Sequence, residues 1–260
     1  LKLTDMKNIP SDSAIHVSGK NVRKVLLCVD VDPAVLILAK NLECDAVITH
    51  HPIGKALLNF HLVFDRHVDY MLEYGVPRHI AEDAVSKLKE QVALRSHTRI
   101  YTHTVAAAEK LEMPLVNIHL PCDELMRRTI LAKLKSSNIE KVSDIRAAVE
   151  KIPEFRNSAT KVQVPYGNTS NKVGKYALVI AAGTNGGYHV AKAYFDHGIS
   201  TVIYLHVSGE DLARLKVDKS KGNIAILGHL AGDSVGLNGF ADALEKGGVE
   251  VLKLGILDKD

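Results

Sequence analysis

Apolar residues along this chain gather in short, β-branched runs separated by helix-forming or polar stretches, and several of those runs end on a histidine. Residues 22–30, centred on Val25, Leu26, Leu27 and Val29, predict a strand. Pro33 suits the first turn of a helix over 34–42. Ala46-Val47-Ile48 then predicts an inner strand, closed by Pro52, which cannot continue a ladder. Strand, helix and strand in that order make a βαβ unit with a right-handed crossover and a parallel pair. Residues 60–113 read as mostly helical, with apolar positions at Leu62, Val63, Val68, Met71 and Leu72. Within them Thr102-His103 resembles one more strand end, and His61, His67 and His79 fall without ligand spacing. A strand over 115–119 leads into a helix over 124–135.

The second half repeats the order. A strand over 175–183 precedes a helix over 188–197; strands over 201–206 and 224–229 follow, the last leading into a helix marked by Leu237, Phe240, Ala241 and Leu244. Between the halves, residues 136–174 are polar and rich in Ser, Asn, Lys and Pro. They predict a helix over 142–152, then a loop or hairpin that covers the site or bridges the halves. The expected fold is α/β. It has two similar α/β lobes, about 1–135 and 175–260, joined by a 136–174 connector, with mainly parallel sheets facing a central metal cleft.

The strand ends carry the chemistry. His50-His51 emerge at the carboxyl edge of a strand, where open α/β sheets place their ligands. Side chains alternate across a strand, so the pair serves two neighbouring metals, or one if the backbone turns at Pro52. A pair of solvated loop histidines is the competing reading. His229 closes another apolar run, and Asp233 follows four residues later, on the same face of a first helical turn. His119 and Asp123 repeat that spacing. Imidazole and carboxylate arriving together from three strands suit zinc, manganese or iron. Asp30 ends its strand at the same edge and either supports a ligand or caps the next helix. His206 also ends a strand, with Glu210 four residues on. Either is placed as a substrate-facing base, although Glu210 also suits the positive end of a helix. The glycine-rich Gly183–Gly187 lacks both GxGxxG and a P-loop lysine, and predicts only a tight turn near the substrate.

Composition narrows the classes. A net charge of +3 with no Lys/Arg block argues against nucleic acid, and no apolar run nears the roughly 18 residues of a membrane span. The opening residues show no secretory leader. Three cysteines form no CxxC, which points to a reducing, cytoplasmic compartment. Cys28 and Cys44 read as small core residues, and Cys122, between His119 and Asp123, as a neutral thiol beside the site.

Ile48-Thr49-His50-His51-Pro52 and Gly228-His229-Leu230-Ala231-Gly232-Asp233 resemble the two signature motifs of the Nif-three-like family, dinuclear-metal proteins to which a type 2 GTP cyclohydrolase I activity is commonly attached. The likeness runs from about Val25 to Leu252. It implies two divalent metal ions held by His50, His51, Asp123, His229 and Asp233, and a toroidal homohexamer. Two departures stand out: Asp233 replaces the family's usual Glu, and Leu-Pro-Cys replaces Thr-Asn-Leu between His119 and Asp123. The expected function is a metal-dependent hydrolase acting on a small nucleotide-like or phosphoester substrate, with His206 or Glu210 moving protons. The alternative is a non-catalytic metal-binding, carrier or regulatory protein. A purely structural metal ranks last, because the ligand set contains no cysteine.

Overall fold

Two sheets organise the chain in a computed structural model that describes residues 3–181 and 186–259. In sequence order the strands are β1 (Ala14–Val17), β2 (Lys24–Cys28), β3 (Ala46–Thr49), β4 (Leu115–Asn117), β5 (Gln163–Tyr166), β6 (Tyr176–Leu178), β7 (Thr201–Tyr204), β8 (Asn223–Ile226) and β9 (Glu250–Leu254). The first sheet has the order β1-β4-β3-β2-β9, and the second β5-β8-β7-β6. Every internal pairing is parallel; only β1 and β5, one at an edge of each sheet, run antiparallel. The fold is thus mixed α/β with two parallel-dominated sheets, as expected. One pairing had no precursor in the hydrophobic pattern: β9 returns to the first sheet, setting Lys24 opposite Glu250.

The helices are α1 (Pro33–Asn41), α2 (Gly54–Leu58), α3 (Asp65–Glu73), α4 (Arg78–His97), α5 (His103–Lys110), α6 (Leu120–Lys135), α7 (Val142–Val149), α8 (Pro153–Asn157), α9 (Gly187–Asp196), α10 (Gly209–Asp218) and α11 (His229–Lys246). Pro33 does open α1, but the cap is Asp32, whose carboxylate accepts from the Val35 N–H at 2.9 Å. Three local expectations change. Helix α6 starts at Leu120 rather than residue 124, because Pro121 sits in a first turn where its missing N–H is not needed. His103 begins α5 and ends no strand. The predicted 142–152 helix stops at Val149, and the segment after it supplies α8 and β5, an edge strand of the second sheet. Gly183, Thr184 and Asn185 of the glycine-rich turn lie outside the described residues.

Helices α6 and α11 cross closely between the sheets. A Cβ at Gly236 would overlap the backbone carbonyl of Cys122, so only glycine permits this approach. Asp123 and Asp233 both lie in the first two turns of these helices. The crossing therefore fixes the separation of two carboxylates. Among the described residues no helix is long and apolar enough to cross a membrane.

Candidate metal centre

The carboxyl ends of strands from both sheets converge on one histidine-carboxylate cluster. His50 and His51 follow β3, His119 follows β4 by two residues, and His229 follows β8. At Gly228 the backbone takes φ +111°, a region favouring glycine, and turns β8 directly into α11 with His229 as its first residue. Thr160, from the segment between the halves, packs against that glycine.

Three imidazoles are held by their Nδ1 atoms. His50 Nδ1–H donates to the Ile118 carbonyl at 3.0 Å, and His51 Nδ1–H to the Asp30 carboxylate at 2.7 Å. His119 Nδ1–H donates to Asp12 at 2.8 Å. Each bond fixes the tautomer and leaves Nε2 with its lone pair as the atom able to bind a cation. Asp30 thus holds the His51 ring, while Asp32 does the capping.

Asp233 occupies the centre. Its Oδ1 lies 3.6 Å from His50 Nε2, and its Oδ2 lies 3.4 Å from His51 Nε2 and 3.3 Å from His229 Nε2. Asp123 Oδ1 stands 3.3 Å from His50 Nε2. Two ligand groups follow, His50 with Asp123 and Asp233, and His51 with His229 and Asp233, sharing one carboxylate. A tetrahedral ion with bonds of about 2.1 Å spaces its ligands roughly 3.4 Å apart. The observed separations match that spacing.

The burial pattern makes the same case. His50 Nε2 and all four carboxylate oxygens of Asp123 and Asp233 are buried without a hydrogen-bond partner. Each such group costs about 1–3 kcal/mol when left unsatisfied, more if charged. Burial alone would lower the His50 pKa, yet Asp233 and Asp123 outweigh it and hold the ring well above the ordinary imidazole value. For Asp233 the signs are opposite: burial would raise it, and the imidazoles, His50 first, hold it well below the carboxylate range. The carboxylates call for positive charge; a divalent cation on the same atoms supplies it without protons. The buried His/Asp groups could therefore hold metal.

The remaining candidates fall into place around this core. The His206 ring lies 4.9 Å from that of His229, and burial, aided by His229, lowers its pKa. Glu210 is exposed on the first turn of α10, in the wall of a cavity that His206 also lines. No contact links it to the cluster among the described residues. Cys122 is buried beside His50 with its thiol pushed up, first by burial, and belongs to none of the ligand groups. Over His51, His229 and Asp233 the cluster opens into a cleft of about 390 Å³.

Sequence reasoning missed Asp12. Fully buried, it accepts from His119 and from the Leu120 N–H at 3.1 Å, and it forms a further ligand group with His119 and Asp123. It sits in Pro10-Ser11-Asp12-Ser13, ahead of the first strand, where no spacing marks it. His119 was visible as a strand-end histidine, but only its partner Asp123 was counted as a ligand.

The profile of the Duf34/NIF3 (NGG1p interacting factor 3) family matches residues 14–69. Among solved structures, a NIF3 superfamily protein from Sphaerobacter thermophilus is similar over 99% of this chain and 95% of its own, with 42% identity and a TM-score of 0.93. Reduced HcgD from Methanocaldococcus jannaschii is similar in fold, with a TM-score of 0.61 and 14% identity over 97% of this chain and 93% of its own. So is Staphylococcus aureus hypothetical protein SA1388, at 0.54 and 13% over 98% and 95%. No curated protein matches the chain.

Proposed function

The chain belongs to the NIF3 superfamily, and from that premise we propose that it is a metal-dependent hydrolase in which His50, His51, Asp123, His229 and Asp233 hold two divalent cations, zinc, manganese or iron. The observation that carries the reading is the set of buried, unpartnered ligand atoms on His50, Asp123 and Asp233. Held there, such cations would supply Lewis-acid chemistry, activating water near neutral pH and polarising the bond under attack.

The chain's own residues do the rest. Asp233 faces His50 with one oxygen and His51 and His229 with the other, so a single side chain sets the spacing of both ligand groups. Asp30 and the Ile118 carbonyl hold the His51 and His50 rings in the tautomer that ligation needs, and Asp12 fixes His119 beside them. His206, its ring 4.9 Å from that of His229, would take or return a proton at a ring nitrogen. Glu210 lines the adjoining cavity, one step further from the cluster. The substrate is a small nucleotide-like molecule or phosphoester, and hydrolysis of cyclohydrolase type falls within this chemistry. A homohexamer is the assembly that the family resemblance implies.

The test is metal content per chain for the wild type, His51→Ala and Asp233→Ala. Close to two ions per chain, falling in both variants, supports the centre and justifies a hydrolase screen. No stoichiometric metal after reconstitution with zinc, manganese or iron overturns it.

A further inference from the structure

A cavity of about 740 Å³, within the roughly 300–1,000 Å³ of small-molecule sites, shares no lining residue with the cleft over His51 and His229. Its inner wall reaches the metal centre at two points. The Phe60 ring lies 5.2 Å from that of His119, and the His206 ring 4.9 Å from that of His229. Phe64, Leu88 and Val92 extend an apolar surface outward from Phe60.

The rim is cationic. Arg95, in the last turn of α4, and Arg99, two residues past its end, are exposed, and neither guanidinium has an ion-pair or hydrogen-bond partner among the described residues. Elsewhere Arg66, Arg78, Arg127, Arg128 and Arg146 each face a carboxylate. A third guanidinium, that of Arg214, is fixed 4.3 Å over the Tyr188 ring and 3.2 Å from His189 Nε2. Of the two acids in the wall, Asp211 is committed to the Tyr188 N–H at 2.8 Å and the Ser208 hydroxyl at 2.6 Å. Three cations thus stand against two carboxylates, of which only Glu210 has no hydrogen-bond donor of its own among the described residues, and the wall keeps a net positive charge. Forked guanidinium donors suit a phosphoryl group, and an aromatic floor suits a flat ring.

We propose that this cavity binds the substrate by a phosphoryl group at Arg95 and Arg99, with a ring portion lying along Phe60 toward His206 and the metal centre. The assignment rests on the hydrolase reading and narrows it. The phosphoryl group is the handle at the exposed rim, and the ring portion is what reaches the cluster. Hydrolysis at the ring is then favoured over cleavage of the phosphoester.

Phenyl phosphate is the minimal probe, titrated calorimetrically into metal-stripped protein so that phosphate–metal contacts do not contribute. Saturable binding to one site per chain is expected, weakened at least tenfold in Arg95→Gln/Arg99→Gln, with inorganic phosphate binding more weakly than phenyl phosphate. The two arginines are exposed, and an unchanged thermal midpoint of the variant confirms that its fold is intact. Absence of binding up to millimolar concentration, or binding indifferent to the double substitution, overturns the proposal. Metal loading of the same preparations is read separately. Two ions per chain without phenyl phosphate binding removes the cavity assignment alone. Arginine-dependent binding without metal uptake supports the anion site and removes the hydrolase reading.

Discussion

The metal centre has a closed side and an open side built from the same residue types. On the closed side His50, His119, Asp123 and Asp12 are at most 3% exposed. On the open side the side chains of His51 and His229 are 27% and 43% exposed, and that of Asp30 is 81% exposed. Asp233, buried, joins the two. Ligand chemistry already separates the two groups, one imidazole with two carboxylates against two imidazoles with one, and solvent separates them further. A cation between His50, Asp123 and Asp233 relieves buried groups that water cannot reach. One between His51, His229 and Asp233 would face a cleft open to water.

The most damaging way to break that division is to part the two helices beneath it. Gly236→Ala sets a methyl group against the Cys122 carbonyl, next to Asp123 and one turn from Asp233. The expected cost is about 1–3 kcal/mol in denaturant unfolding, as for other overpacked sites, with metal content falling on both sides. Next come the two supporting carboxylates. Asp12→Asn removes a buried partner that water cannot replace, and metal affinity by titration should fall about 10–100-fold. Asp30→Asn removes an exposed one, and should cost less than about tenfold, below that typical range. Equal losses would show that burial does not separate the sides. Chelator dialysis should then strip the loaded protein in two kinetic phases, the open side first. The smallest effect on metal is expected from His206→Gln. Ion content should stay at the wild-type value while turnover drops about 10²–10⁴-fold.

The open side was the more legible in sequence. His51 and His229 end apolar β-branched runs, and Asp233 repeats at helical spacing, so hydrophobic period and ligand type pointed to the same place. The closed side depends on contacts without a period. Asp12 reaches His119 from a turn more than a hundred residues earlier in the chain. The helix after His119 was expected only from residue 124, so the spacing of Asp123 from His119 was legible but its place in a first helical turn was not. Glu210 keeps its spacing from His206, and α10 sets it in the wall of the cavity that His206 also lines. The apolar run of β9 is too short and too mixed, Glu250-Val251-Leu252-Lys253-Leu254, to announce which sheet it joins.

That last strand bears on how the molecule comes to be assembled. β2 is flanked by β3 on one side and β9 on the other, so the first sheet is incomplete until Glu250–Leu254 has docked. Pairings so far apart in sequence form late, because their loop-closure entropy is spent before any contact repays it. Helix α11, which carries His229 and Asp233, directly precedes β9. A nascent chain therefore holds His50 and His119 long before it can present a complete ligand set. Ion uptake would then report on finished topology, and a bound ion would act as a latch that resists unravelling.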